Sequence, residues 1–302
     1  MRSTILPFSM IAPSNAVFER DLRRVRWLRR PRALVMYSAY LLIGIPLIEA
    51  VLFALDYFRK MAALQLDRYY STDFDLWFVL ILLATFLISA AADLYYLVVT
   101  VNSINRLIES GEWDSLRLTP IPERDLVLGK VAVAQVRGWR LMTLDMALRL
   151  CGIVVIVALA VSTTNILQVR HELSTLLDAG IILVFCAAYV LEPLWRMRTI
   201  VAVGIALSAG IRNLAFAVLA GLAAVFALHI VQFFVIGFTI SSLYAITFAF
   251  AIAADRRFET HLFTSLAGLL LTGAFAFALN YYYRQVQEAA LRRAFRWAFK
   301  TD

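Results

Sequence analysis

The stretch Glu109-Ser-Gly-Glu-Trp-Asp-Ser-Leu-Arg-Leu-Thr-Pro-Ile-Pro-Glu-Arg-Asp-Leu-Val-Leu-Gly-Lys130 is a charged, proline-punctuated island in a chain that is otherwise mostly apolar. Residues 105–118 read as one short helix carrying Leu107, Ile108, Trp113 and Leu116 among acids and arginines. Thr119-Pro120-Ile121-Pro122 must end it, because each proline lacks an amide donor and drives the preceding residue out of helical geometry. Pro122 stands just before Glu123 and Asp125, acids that favour a helix N-terminus. Helix, rigid elbow and a second helix running into apolar sequence are therefore expected.

The surroundings of the island set the solvent. Of 302 residues, 62% are hydrophobic and only 17% charged, where a soluble domain carries about a quarter charged. The composition is that of an all-α, polytopic membrane protein. The formal charge of +8 would suggest nucleic acid for a soluble chain, but arginines beside apolar spans follow from the positive-inside rule and anionic lipid. No nucleic-acid partner is expected. Residues 1–13 lack a basic region followed by a sustained apolar core, so the first span is expected to direct insertion.

Residues 14–31 place Phe18, Leu22, Val25 and Leu28 at helical spacing, with arginines and acids on the other faces. Pro31 bends or ends this segment, and residues 1–32 read as a cytoplasmic amphipathic helix in the headgroup layer. Apolar runs at 33–55, 76–100, about 139–161, 178–210, 214–238 and 262–283 are each long enough to cross the bilayer. Together they define a transmembrane domain over 33–283, with the elbow in its segment 101–137 and a basic amphipathic tail at 284–302. The run 239–254 is apolar but short. Basic residues number eight in 1–32, six in 101–140 and five in 284–302, against three in 56–75 and one in 162–177. That imbalance favours six crossings with both termini in the cytosol, 239–254 being re-entrant or on the outer side.

The island also carries a resemblance. Gly111-Glu-Trp-Asp-Ser-Leu-Arg-Leu-Thr-Pro-Ile, followed by Leu126-Val-Leu-Gly-Lys130, resembles the cytoplasmic segment of ABC-2 type permeases, the membrane subunits of ATP-driven exporters. Glu109, Gly111, Trp113, Asp114, Leu116, Thr119, Pro120, Gly129 and Lys130 fall on the family pattern, while Glu112 stands where the family usually has threonine. The end of the fourth run, Gly204-Ile-Ala-Leu-Ser208 before Ile211-Arg-Asn213, is similar to the family's fourth helix. The resemblance implies a permease that docks a separate nucleotide-binding ATPase subunit and pairs with a second permease copy or paralogue in the cell (inner) membrane. On this reading Leu107, Trp113 and Leu116 anchor a coupling helix in an ATPase groove, with Glu109, Asp114 and Arg117 as rim charges. ATP and Mg would sit in the partner, and this chain would bind no cofactor and catalyse nothing itself.

No catalytic motif is recognisable in the residues, which disfavours a membrane-embedded enzyme. A phosphate loop ending at Gly129-Lys130 would need glycine at 124 and Ser or Thr at 131, where Arg124 and Val131 stand. His171, His229 and His261 lack metal-site spacing, and Cys151 and Cys186 lie far apart in apolar runs. Charges within the spans are the remaining candidates, since each calls for a partner or a wet path. They are Asp93, Glu192, Arg196 and Arg198. Asp145 with Arg149 and Glu192 with Arg196 are i, i+4 pairs, and Asp93 is expected to pair with a neighbouring helix. An alternative is an ion-gradient-driven carrier using Asp93, Glu192 and Arg196 as its relay.

Overall fold

A computed structural model of the chain describes residues 31–62, 73–163, 172–253 and 258–298, together with Phe18 and Asp21. Among these residues there are helices and turns and no strand. Helices α1 (Pro31–Ala39) and α2 (Ile45–Ala62) are joined by a wider π turn at Tyr40–Gly44. Pro46 follows at once, and its missing amide explains why the ladder loosens there. Then come α3 (Asp73–Val101), the short α4 (Asn105–Glu109) and α5 (Glu112–Arg117), and four long helices. These are α6 (Glu123–Thr163), α7 (Glu172–Gly210), α8 (Leu214–Ala253) and α9 (Phe258–Ala298).

Five stretches are long and apolar enough to cross a membrane among the described residues: Val35–Leu55, Val79–Glu109, Ala179–Gly210, Leu214–Phe234 and Ser265–Trp297. The chain is thus built as a multi-pass membrane protein. Helix α6, the third of the six expected crossings, is not among the five. Its side chains are described through Val155, and Arg140, Asp145 and Arg149 interrupt that part. Instead α6 lies inside the bundle, with every residue from Leu126 to Val136 buried, and α3, α7 and α2 pack around it. The most extensive pairing is between α7 and α9.

Three expectations are corrected. The helix expected over 105–118 is two helices, because Gly111 adopts a left-handed φ of 70° between them. No break follows residue 238: α8 continues unbroken for 40 residues, about 60 Å at 1.5 Å per residue, so 239–254 is not a separate re-entrant segment. The basic tail likewise fuses with the last span in one 41-residue helix, α9. In the last two cases no proline or glycine pair lies at the expected boundary, and a continuous backbone ladder costs least. Most of the amphipathic segment 1–32 lies outside the described residues, as do 63–72 and 164–171.

The elbow is tied to the bundle at defined points. Ser208 Oγ, at the end of α7, accepts the backbone amides of Ile104 at 2.9 Å and Asn105 at 3.1 Å, capping α4. Asn105 Nδ2 donates to the Ile211 carbonyl at 2.7 Å. Gly204, four residues before Ser208, lets Thr100 pack onto the α7 backbone; a Cβ there would overlap the threonine side chain. The pair Gly204 and Ser208 thus fixes where the elbow meets the bundle. Helix α6 starts immediately after Pro122, whose carbonyl accepts from Asp125 and Leu126.

Candidate functional site: a buried charge cluster and its cleft

Asp93 on α3, Asp145 and Arg149 on α6, and Glu192 and Arg196 on α7 converge at one level of the bundle, each no more than 5% exposed. Charges withdrawn this far from water persist only when paired. Arg149 reaches Asp145 Oδ1 at 3.1 Å through Nε and Glu192 Oε2 at 2.8 Å through Nη2. Arg196 reaches Asp145 Oδ2 at 2.7 Å, Asp93 Oδ1 at 3.2 Å and Glu192 Oε2 at 3.7 Å. Asp145 sits at the centre, bridged by both arginines and accepting from Ser89 Oγ at 2.8 Å. The two local i, i+4 pairs are therefore halves of one network, and Asp93 completes it from a neighbouring helix.

Pro193 explains how Arg149 is held. A proline at 193 has no amide to offer the carbonyl of residue 189, one turn earlier. Arg149 Nη1 supplies the missing donor, reaching Tyr189 O at 2.8 Å. Its guanidinium also lies over the Tyr189 ring, 4.7 Å from the centroid. The proline beside Glu192 thus creates an acceptor that locks an arginine of the next helix.

Three further polar groups belong to the site. Tyr283 on α9 donates its hydroxyl to Glu192 Oε1 at 2.6 Å. Gln232 on α8 lies 3.4 Å from the same hydroxyl. His229, also on α8, sets Nε2 3.2 Å from Asp93 Oδ2 and Nδ1 2.9 Å from the Val225 carbonyl. Both ring nitrogens face acceptors, an arrangement that the doubly protonated ring satisfies. In the sequence His229 was weighed only as a metal ligand, and Gln232 and Tyr283 went unread, although His229 and Gln232 are polar residues inside an apolar run, the signal that marks intramembrane sites. Arg198, two positions beyond Arg196 and so on another face of α7, is half-buried and outside the network.

A cleft of about 270 Å³ opens beside the cluster between α3 and α8. Leu82, Phe86 and Phe233 form its apolar walls; Arg149, Arg196 and His229 form its floor.

At the elbow, the residues divide by face. Leu107, Trp113 and Leu116, expected as anchors for a partner, are buried in this chain's own core with Ile104, Leu126 and Val127; Trp113 is only 4% exposed. Glu109, Asp114 and Pro120 are exposed, Thr119 is half-buried with its hydroxyl donating to Leu116 O at 2.6 Å, and Gly111 turns the chain. Leu118 is 89% exposed. Gly129 is buried on α6, and Lys130 forms a buried ion pair with Asp21 of the N-terminal segment. No family model matches the chain, and no curated protein sequence matches it significantly.

Proposed function

We propose that the chain is the permease subunit of an ATP-driven exporter of the ABC-2 type, coupling ATP binding and hydrolysis in a separate ATPase chain to movement of a substrate across the cell (inner) membrane. The observation that carries this reading is mechanical. The elbow is fixed at one end by the Ser208 cap and continues at the other, through Pro120 and Pro122, into α6 without a flexible linker. From Glu123 to Asp145 on that helix is roughly 33 Å at 1.5 Å per residue. A displacement of the elbow therefore reaches the buried charge cluster along one rigid rod.

In this reading the docking contacts are the outward groups Leu118, Pro120, Glu109 and Asp114, with Leu118 as the apolar anchor. Trp113 and Leu116 act from within, holding the elbow stiff against the bundle. Gly111 and Thr119 shape the turn, while Gly129 and Lys130 seat α6 against the N-terminal segment through Asp21. The basic groups Arg106, Arg124, Arg212, Arg292, Arg293 and Arg296 belong to the elbow, the α7–α8 turn and the α9 end, which supports a cytosolic elbow and tail. ATP with Mg belongs to the partner, and a second copy or paralogue would complete the path.

The test is purification of the tagged protein from mild detergent, with ATPase activity assayed on the eluate. The expected result is a co-purifying ATPase chain whose retention falls about tenfold in Leu118→Asp, the loss of one good anchor, at unchanged thermal stability. A single-chain preparation free of ATPase in several detergents overturns the proposal. It would favour the ion-gradient carrier, to which the buried charges Asp93, Glu192, Arg196 and His229 lend support.

A further inference from the structure

We infer that the cleft between α3 and α8 is a binding site for a membrane amphiphile with an acidic headgroup, entered sideways from the lipid. The inference goes beyond docking of an ATPase and does not depend on it. Its first ground is the direction of the cluster's charge. The cleft is lined by Arg149, Arg196 and His229 and by none of Asp93, Asp145 or Glu192. A cluster with its guanidiniums in front and its carboxylates behind is a dipole aimed at the cleft. At low dielectric such a dipole attracts an anion that water would otherwise screen.

The second ground is hydrogen bonding. Gln232 also lines the cleft, and its amide with the Arg149 and Arg196 guanidiniums forms a wall suited to phosphate or carboxylate oxygens. The third ground is the mouth. Phe86 and Phe233 flank it and are largely exposed on the outer faces of spans Val79–Glu109 and Leu214–Phe234, where acyl chains lie. A volume of about 270 Å³ takes a headgroup, and its chains can stay in the bilayer. A free anion would leave that apolar mouth without a function.

The experiment uses the full-length protein in lipid nanodiscs with two photo-crosslinkable probes of identical acyl chains, a phosphatidic acid and the matching diacylglycerol. Phosphatidic acid is expected to label peptides of α3 around 82–90 and of α8 around 229–233, with the diacylglycerol labelling about tenfold less. Gln232→Glu keeps the acceptor that faces Tyr283 and adds a negative charge at the rim; it should reduce phosphatidic acid labelling about tenfold. Its melting temperature in nanodiscs should stay at the wild-type value, which separates a charge effect from misfolding. Equal labelling by the two probes, labelling confined elsewhere, or indifference to Gln232→Glu would overturn the inference. Suppression by inorganic phosphate at matched concentration would overturn it too, by assigning the cleft to a soluble anion.

Discussion

At the level of Asp93 the molecule is inside out, and at the elbow it is the right way round. In the bundle the charged groups Asp93, Asp145, Glu192 and Arg196 are buried, while Phe86, Leu183, Phe226 and Phe233 face outward. At the elbow Leu107, Trp113 and Leu116 are buried, and Arg106, Glu109, Glu112 and Asp114 face outward. Each arrangement is the low-energy one in a different solvent. Apolar side chains lose nothing against lipid, so packing there is decided by polar groups that must find one another. In water the apolar groups drive the packing and charges stay outside. One chain obeying both rules within a few turns of α3 and α4 straddles an interface. It follows that energy is stored differently at its two ends: in matched charges within the bundle, in apolar packing at the elbow.

The strongest way to break this contrast is Arg196→Ala. It leaves three buried carboxylates with Arg149 as their one remaining arginine, and removal of one partner from a buried pair costs about 3–5 kcal/mol. The variant should accumulate poorly and melt far below wild type in detergent; wild-type melting would mean that the cluster is wet and not structural. Trp113→Ala probes the opposite end. Truncating a core aromatic costs about 3–5 kcal/mol, here the smaller of the two effects because the elbow can partly collapse on the void. Protease sensitivity should rise within 101–122 with the spans still folded.

Gly111→Ala sharpens the comparison further. A Cβ at 111 meets open space, so its cost is the left-handed backbone alone, about 1–2 kcal/mol. The expected loss is a modest drop in melting temperature that Gly111→Asn largely avoids, asparagine being tolerant of that conformation. Arg284→Ala is the smallest. Its pairing with Glu288 is an exposed i, i+4 contact at 2.9 Å, and such pairs are worth about 0.3–0.5 kcal/mol. A melting curve that superimposes on wild type is expected, in contrast with Arg196 although both are helix-borne arginines paired four residues along.

Much of this was legible beforehand where the cause is local. Proline at 120 and 122 stops one helix and Glu123 opens the next, whatever surrounds them. Asp145 with Arg149 and Glu192 with Arg196 follow from 3.6 residues per turn. Apolar length alone indicated most of the spans. Legibility ended where two helices had to be rotated against each other. The side of α5 on which Trp113 lies was misread because an amphipathic helix declares an apolar face without declaring what covers it. The unbroken α8 was misread because a short apolar run after residue 238 carries no signal separating a new element from a longer helix.

The amino-acid sequence by itself determined that the protein is helical, that its helices belong in a bilayer, and that charges lie within them. Only the tertiary structure decided that five of those charges form one network, that Pro193 frees a carbonyl for Arg149, and that His229 joins from α8. The physical reason is that composition and periodicity act along the chain, whereas a buried ion must be matched across it. Which carboxylate meets which guanidinium depends on the azimuth of each helix, and that azimuth is set by all the packed helices at once.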